Sequence, residues 1–265
     1  MDAPQCPSAP ARSSASPATA SPATSLDPAF AKLLARAEAT PEQLTAEEER
    51  QRREQSGKRA TQWRALVDDA GTRYTDASFE TFTVTRPEQG AVVKALQAYA
   101  ENAADNLQAG RGILLFGPSG TGKDHLLMAT ARAILRRGLL GFGWATGAKI
   151  YRELRDAMDS ETPEGRLLSQ WTRPGVLIIS DPMPPRGALT DYQAATLFDI
   201  VNVRYSNCRP TWCSLNVQSS AEADERIGAS IVDRLKDGAL VAFCNWPSHR
   251  RPEVVTGYSS KGVES

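Results

Sequence analysis

A chain of 265 residues with 41% hydrophobic side chains has room for one substantial α/β domain and an appendage, and would crowd two large domains. Its 31 basic residues balance 31 acidic ones, so no long-range field draws it toward nucleic acid or a membrane surface, and any DNA contact is a local patch. The four cysteines form no Cys-x-x-Cys pair and stand beside no histidine at metal-ligand spacing, and His125 and His249 are the two imidazoles, which favours reduced structural cysteines over a zinc site or a histidine triad.

Residues 1–25 are almost entirely Pro, Ala, Ser and Thr, too poor in apolar surface to offset their chain entropy, and are expected to be a disordered tail. They hold no apolar secretory core, and the single Arg12 weighs against a mitochondrial presequence. No stretch approaches the roughly 20 apolar residues of a bilayer span, so no membrane contact and a cytoplasmic location are expected. The texture changes at Asp27, an N-cap with Pro28 at the first helical position, which opens a short helix carrying Phe30, Leu33, Leu34 and Ala37 on one face. Thr40-Pro41-Glu42-Gln43 repeats the start signal and leads into a charged helix running through Glu54 with little apolar face. Residues 26–70 are therefore expected to be a helical N-terminal extension. It is either a solvated arm or a docking arm whose Phe30, Leu33, Leu34 and Leu44 offer a partner a modest apolar stripe.

Residues 71–252 read as the alternation of a parallel sheet covered by helices. The pattern predicts a helix over 88–107, a strand over 112–116, a helix over 123–137, a second strand over 141–145, and helices over 148–158 and 163–171. The third strand, 175–179, is an unbroken apolar run after its first glycine, as a strand buried on both faces requires. A helix over 191–205, a strand over 211–216, helices within 220–236 and a last strand over 239–244 complete a five-stranded, doubly wound α/β sheet. Its ligand belongs at the C-terminal edge of the strands. Residues 253–265 are expected to be a flexible tail.

The first strand empties into Gly117-Pro118-Ser119-Gly120-Thr121-Gly122-Lys123-Asp124, followed by His125. Gly-x4-Gly-Lys between a strand and a helix is the layout of a phosphate-binding P-loop. Its glycines let backbone N–H groups turn inward around an anion, and Lys123 brings a mobile positive charge to the outer phosphates. A nucleoside triphosphate, ATP, is the expected ligand. Where this layout wants Ser or Thr to place a hydroxyl on Mg2+, the chain has Asp124, which either ligates the metal directly or adds negative charge beside the phosphates. The third strand ends in Ile178-Ile179-Ser180-Asp181-Pro182, where P-loop ATPases place an Asp that supports Mg2+ and, in many, a following Glu that activates water. One carboxylate stands here instead of two, and two registers are open. Either Ser180 takes the metal-supporting place and Asp181 the water-activating one, or Asp181 supports the metal and Pro182 replaces the base. Asn216, ending the fourth strand, either orients water against the γ-phosphate or simply opens a turn. Arg234, in the apolar helical run Ile231-Val-Asp-Arg-Leu235, is either a phosphate-seeking guanidinium or a surface cation paired with Asp233 or Asp237.

These pieces, in this order, resemble the DnaC/IstB-like branch of the AAA+ ATPases, the bacterial helicase loaders and transposition helpers, over about 74–250. The resemblance is carried by Arg73-Tyr-Thr-Asp-Ala-Ser-Phe-Glu-Thr-Phe82, by 117–126, by Leu189-Thr-Asp-Tyr192 and Leu197-Phe-Asp-Ile-Val-Asn-Val-Arg-Tyr205, and by Ser230-Ile-Val-Asp-Arg-Leu235. Phe243-Cys-Asn-Trp-Pro-Ser-His-Arg250 looks like the ending of DnaC-type loaders in particular. The resemblance implies an AAA+ P-loop core without a C-terminal helical lid, ATP with Mg2+ near Asp124 and Asp181, Asn216 as the sensor, and Arg234 as an arginine finger lent to the next subunit. It further implies a nucleotide-dependent homo-oligomer, single-stranded DNA contact from the segment between the second and third strands, and capture of a hexameric replicative helicase by the N-terminal extension. In the transposition branch the partner is a transposase. Lys149, Arg152 and Arg155 beside Tyr151 are candidate DNA contacts, and equally a solvated face.

The incomplete acid pair and the proline-stiffened turn Pro182-Met-Pro-Pro185 point to slow hydrolysis, since losing a well-placed general base costs on the order of 10² to 10⁴ in rate. The expected protein is an ATP-switched helicase loader in DNA replication with weak or absent hydrolysis. The alternatives are an IstB-like transposition helper and a degenerate nucleotide-binding scaffold whose N-terminal arm is an interaction module. A small-molecule P-loop kinase is disfavoured, as no substrate lid or second phosphate-clamping arginine cluster is evident.

Overall fold

A computed structural model describes residues 41–139, 141–158 and 164–250, so the expectations for 1–25, for the short helix after Asp27 and for 253–265 lie outside the described residues. The first helix, α1 (Pro41–Ala70), is unbroken. Its outer stretch is charged on all sides, with exposed ion pairs one turn apart, Glu47 to Arg50, Glu49 to Arg53 and Glu54 to Lys58. Such exposed pairs add little to stability. From Arg59 onward the helix meets the body. Leu66 and Val67 are buried, Trp63 and Ala70 pack beside them, Gln62 donates to the Phe142 carbonyl and accepts from the Gly141 amide, and Arg59 reaches the Arg136 carbonyl. The last three turns of α1 thus share the core of the domain that follows.

A 3-10 turn (Thr72–Tyr74) leads to α2 (Pro87–Glu101), α3 (Ala103–Gln108), β1 (Ile113–Phe116), α4 (Lys123–Arg136), β2 (Phe142–Thr146), α5 (Gly147–Met158) and α6 (Glu164–Thr172). Then come β3 (Val176–Ser180), α7 (Asp191–Ser206), β4 (Thr211–Leu215), α8 (Ser220–Ile227), α9 (Ala229–Lys236) and β5 (Leu240–Phe243). The single helix expected over 88–107 is two, because Asn102 leaves helical geometry at φ −100, ψ 29 between α2 and α3. Buried Leu96, Ala100 and Ala103 continue the apolar face across the break, which is why periodicity alone does not reveal it.

The five strands form one parallel sheet in the order β2-β3-β4-β1-β5. Alternate residues feed two cores. Ile113, Leu115, Val176 and Ile178 face α1, α2 and α4, whereas Leu114, Phe116, Leu177 and Ile179 face α5 to α9. Because β4 is inserted between β1 and β3, the loop after β1 opens beside the end of β4 and one strand from the end of β3. At the opposite edge Arg204 of α7 is fully buried. Its guanidinium donates to the Thr211 hydroxyl and to the carbonyls of Trp171, Pro174, Gly175 and Pro210, tying the starts of β3 and β4 together. Burial pulls its pKa down to about 9, which leaves it charged at neutral pH. Among the described residues, no helix is long and apolar enough to cross a membrane.

Candidate functional site

After β1 the chain turns through Gly117 (φ 143), Gly120 (φ 86) and Gly122 (φ 88) before α4 opens at Lys123. Close approach as well as positive φ requires glycine here: a Cβ on Gly117 would lie 2.5 Å from the Cys244 carbonyl oxygen, and one on Gly122 would lie 2.7 Å from the Phe82 ring. The first turn of α4 adds unpaired N–H groups and the positive end of its dipole. Lys123 is buried, and its ammonium turns back into the cradle, donating to Gly117 O (2.7 Å), Pro118 O (2.8 Å) and Asn216 Oδ1 (2.8 Å). Burial pulls its pKa below the ordinary lysine value, against the pull of the anionic groups around it.

β3 ends at Ser180, which lies opposite Thr146 of β2 and Ser214 of β4. Asp181 is thus the first residue past the strand, in a left-handed conformation (φ 43), with its N–H on the Ser214 carbonyl at 3.0 Å. Its Oδ2 accepts from Asn216 Nδ2 at 2.5 Å, and its Oδ1 is buried without a hydrogen-bond partner. Burial pushes the carboxyl pKa up, the Asn216 bond opposes that, and the nearby Asp124 charge adds to it. Asn216 therefore bridges Lys123 and Asp181. The Asp124 carboxylate accepts from the Ser214 hydroxyl (2.6 Å), the Ser180 hydroxyl (2.9 Å) and the Tyr74 hydroxyl (3.4 Å). Burial, reinforced by that carboxylate, raises the Tyr74 pKa to about 12. Lys123, Asp124, Asp181, Ser214 and Asn216 line a cleft of about 270 Å³ together with Ser119, Gly120, Gly122 and His125. Mg2+ binds through one or two carboxylates together with phosphate oxygens. Asp124 and Asp181 both line this cleft, and the Asp181 Oδ1, buried without a partner, leaves an acceptor unspent, so the two carboxylates are a donor set that fits it.

Two segments wall the cleft. Phe82 packs on the rings of His125 and His249 at centroid separations of 5.7 and 5.2 Å, and His125 Nε2 lies 2.9 Å from the Ser78 carbonyl oxygen. On the other side Trp246 Nε1 donates to Thr121 O at 2.8 Å, and the His249 amide donates to Gly120 O at 2.9 Å. The stretches 73–82 and 243–250, read from sequence as family marks, are thus the walls around the P-loop.

Of the residues expected at the site, the P-loop, His125, Asp181 and Asn216 converge. Arg234 lies elsewhere, bordering a crevice with Gly112 and Thr211 at the edge where β1 and β4 begin. It stacks on Phe198 (4.8 Å) and donates to Asn202 Oδ1 (3.0 Å) and Ser230 O (2.9 Å), so its partners are not the aspartates weighed from sequence. Lys149 pairs with Asp69 at 2.7 Å above the Trp171 ring, Arg152 and Arg155 are exposed, and Tyr151 turns inward to donate to Pro182 O. The sequence does not single out Ser214 or Arg226. Arg226 donates to the carbonyls of Pro184 (2.7 Å), Gly187 (3.0 Å) and Asn216 (3.4 Å), holding the proline turn against the end of β4. A lone hydroxyl near the end of an apolar strand is the only signal for Ser214, and an arginine bonding distant carbonyls leaves no spacing pattern.

The family model of the IstB-like ATP binding proteins matches residues 30–253. The chain is similar to the replicative helicase loader DnaC of Escherichia coli, with 28% identity over 198 residues, 72% of this chain and 77% of that protein. It is also similar to a putative ATP-binding protein in an insertion sequence of Mycobacterium tuberculosis, with 28% identity over 183 residues, 66% and 68% of the two chains. Among solved structures, a crystal structure of the DnaC helicase loader superposes with a TM-score of 0.59 at 24% identity, covering 65% of this chain and 99% of that chain. A crystal structure of DnaI gives 0.55 at 19% identity over 68% and 94%. Both structural likenesses are likenesses of fold.

Proposed function

The chain belongs to the IstB-like ATP-binding proteins, and from that premise we propose that it is an ATP-switched helicase loader in DNA replication with weak or absent hydrolysis. The observation that carries this reading is the P-loop cradle with Lys123 already turned into it and held by Asn216. An arriving triphosphate offers Lys123 anionic oxygens in place of two carbonyls and an amide, and the stronger charge-assisted bonds favour the exchange. Releasing Lys123 frees one end of the Asn216 amide, whose other end holds Asp181, so occupancy of the cleft is felt at the tip of β3. The Trp246 and His249 bonds to the loop backbone carry the same event into 243–250. Asp124 and Asp181 would hold Mg2+ together with the phosphates, and the ion would neutralise the polyphosphate charge. Asp181 is the one carboxylate at the tip of β3, with one oxygen on Asn216 and the other buried without a partner, and the lack of a second acid there to activate water makes turnover slow.

The resemblance to a DnaC loader supports a hexameric replicative helicase and single-stranded DNA as partners, with residues 26–70 as the docking arm, in the cytoplasm. Arg234, at the far edge from its own P-loop, would serve the nucleotide of a neighbouring subunit in a homo-oligomer. Sedimentation with and without ATP·Mg2+, single-stranded DNA and the host's replicative helicase tests the reading. ATP-dependent co-sedimentation that disappears in Lys123→Ala is expected, and assembly indifferent to that substitution would refute it. The insertion-sequence relative favours a second reading, a helper that assembles on duplex DNA with a transposase. Assembly stimulated by duplex DNA and transposase, with none by the helicase, selects it.

A further inference from the structure

In a P-loop ATPase a hydroxyl follows the lysine, and a carboxylate near the end of the third strand supports the metal. In this chain the two groups stand the other way round. Asp124 follows Lys123, and Ser180 is the last residue of β3 in the ladder with β2 and β4. The pair is joined directly, Ser180 Oγ donating to Asp124 Oδ2 at 2.9 Å, and the Ser214 hydroxyl donates to the other oxygen at 2.6 Å. Ser180 is only 7% exposed, while Asp124 lines the cleft beside Lys123. An ionised carboxylate only accepts hydrogen bonds, so two serine hydroxyls aimed at it from two strands hold an anion in place at the first turn of α4. A carboxylate that merely complemented the α4 dipole would require neither serine.

We propose that Asp124 and Ser180 are a reciprocal exchange: the carboxylate that supports Mg2+ has moved from the end of β3 to the P-loop, and the hydroxyl has taken its place behind it. The inference rests on ATP binding in this cleft. Its physical consequence is a negative charge one layer nearer the phosphates than usual. With Mg2+ present that charge attracts the metal–nucleotide complex, and with the metal chelated it repels the bare polyphosphate. Magnesium therefore governs nucleotide affinity more steeply here than it would with the groups in their usual places.

Binding of a fluorescent ATP analogue to the full chain, titrated once with Mg2+ and once with EDTA, tests the exchange. Wild type is expected to bind at least about tenfold tighter with Mg2+, the scale on which single ligand-sphere groups act. Asp124→Thr should tighten binding in EDTA, weaken it in Mg2+, and bring the ratio toward one. Ser180→Asp, which sets two carboxylates against each other, should weaken binding, and the double variant Asp124→Thr/Ser180→Asp, with the groups in their usual places, should restore a magnesium dependence steeper than that of Asp124→Thr and shallower than that of wild type. Asp124→Asn keeps the size of the side chain and its bond to Ser180, and should reproduce the gain in EDTA should the bulkier changes disturb folding. Equal losses in both arms for Asp124→Asn, the mark of a purely structural carboxylate, overturn the proposal, as does a double variant no better than Asp124→Thr. A wild type that binds no nucleotide under either condition overturns the ATP reading and the exchange together. Bound nucleotide with a ratio that Asp124→Thr leaves unchanged overturns the exchange alone.

Discussion

Replacing Arg204 by Met withdraws a positive charge and a full set of donors from an enclosed site while nearly keeping the volume. Three of its bonds are entirely buried: Nε to the Thr211 hydroxyl (3.1 Å), Nη1 to Trp171 O (3.2 Å) and Nη2 to Pro210 O (2.6 Å). A net cost of roughly 1–1.5 kcal/mol for each gives about 3–4.5 kcal/mol. The Pro210 carbonyl keeps the Leu177 amide at 3.2 Å, so the loss falls mainly on the α6–β3 connection at Trp171 and Pro174. The buried charge works the other way, since its removal also removes a desolvation cost, and this keeps the figure at the lower end of what stranded acceptors would predict. At about 2–4 °C per kcal/mol for a domain of this size, Arg204→Met should melt about 6–18 °C below wild type. Circular dichroism melts and urea titrations check it. Arg204→Lys, with a charge and three donors but no planar fork, should fall between the two. A Met variant that melts with wild type would refute the reasoning, because it would mean that the carbonyls find other donors.

Asp181 gives a pH test. Burial raises its carboxyl pKa in the fold from 3.8, so the folded chain holds that proton more tightly, and folding loses stability as pH rises through the raised value. Asp181→Asn should therefore melt higher than wild type at neutral pH, with the gain fading toward about pH 3, below the unfolded value, where the carboxyl is protonated in both states, and with hydrolysis abolished. Gly147→Ala acts at a distance from the cleft: its Cβ would strike the Pro182 Cα and stand 2.8 Å from the Pro182 carbonyl carbon and oxygen, all backbone. The turn carrying Asp181 must shift, at a cost of about 1–3 kcal/mol, and phosphate-release assays should show lower turnover although Gly147 does not line the cleft. Arg234→Ala should leave nucleotide binding by the isolated chain unchanged and remove ATP-driven assembly. Mixing it with Lys123→Ala subunits, which retain Arg234, should restore complexes by sedimentation, and failure of the mixture would count against a guanidinium lent between subunits.

What the sequence makes legible has local causes. The apolar runs of β1 and β3 and the glycines of the loop answer to burial on two faces and to close approach, and both are written within about ten residues. The extent of α1 is not, because its charged half lacks an apolar period and the continuation past Gly57 is held by Trp63, Leu66 and Val67 docking against a core assembled from elsewhere. Tyr151 illustrates helix arithmetic. At about 100° per residue it stands about 100° from Arg152 and about 40° from Arg155, so the wheel sets it at the border of the basic face, and its burial and its bond to the Pro182 carbonyl take it into the core rather than toward a strand of DNA. The site divides in the same way. Asp181 and Asn216 sit just past strand ends and Lys123 at the start of α4, places that the pattern locates, whereas the bonds from Ser180, Ser214 and Tyr74 to Asp124 span 56, 90 and 50 residues and exist only once the sheet order is fixed.

α1 also has a mechanical meaning. At 30 residues it is a rod of about 45 Å, and helices of this kind bend only gently. Its inner third is bolted to β2 and α4, and its end passes through Thr72–Tyr74 to a tyrosine hydroxyl on Asp124. A load applied to the exposed outer half is borne by the docked turns, which rest on β2 and α4, the helix that opens at the P-loop lysine.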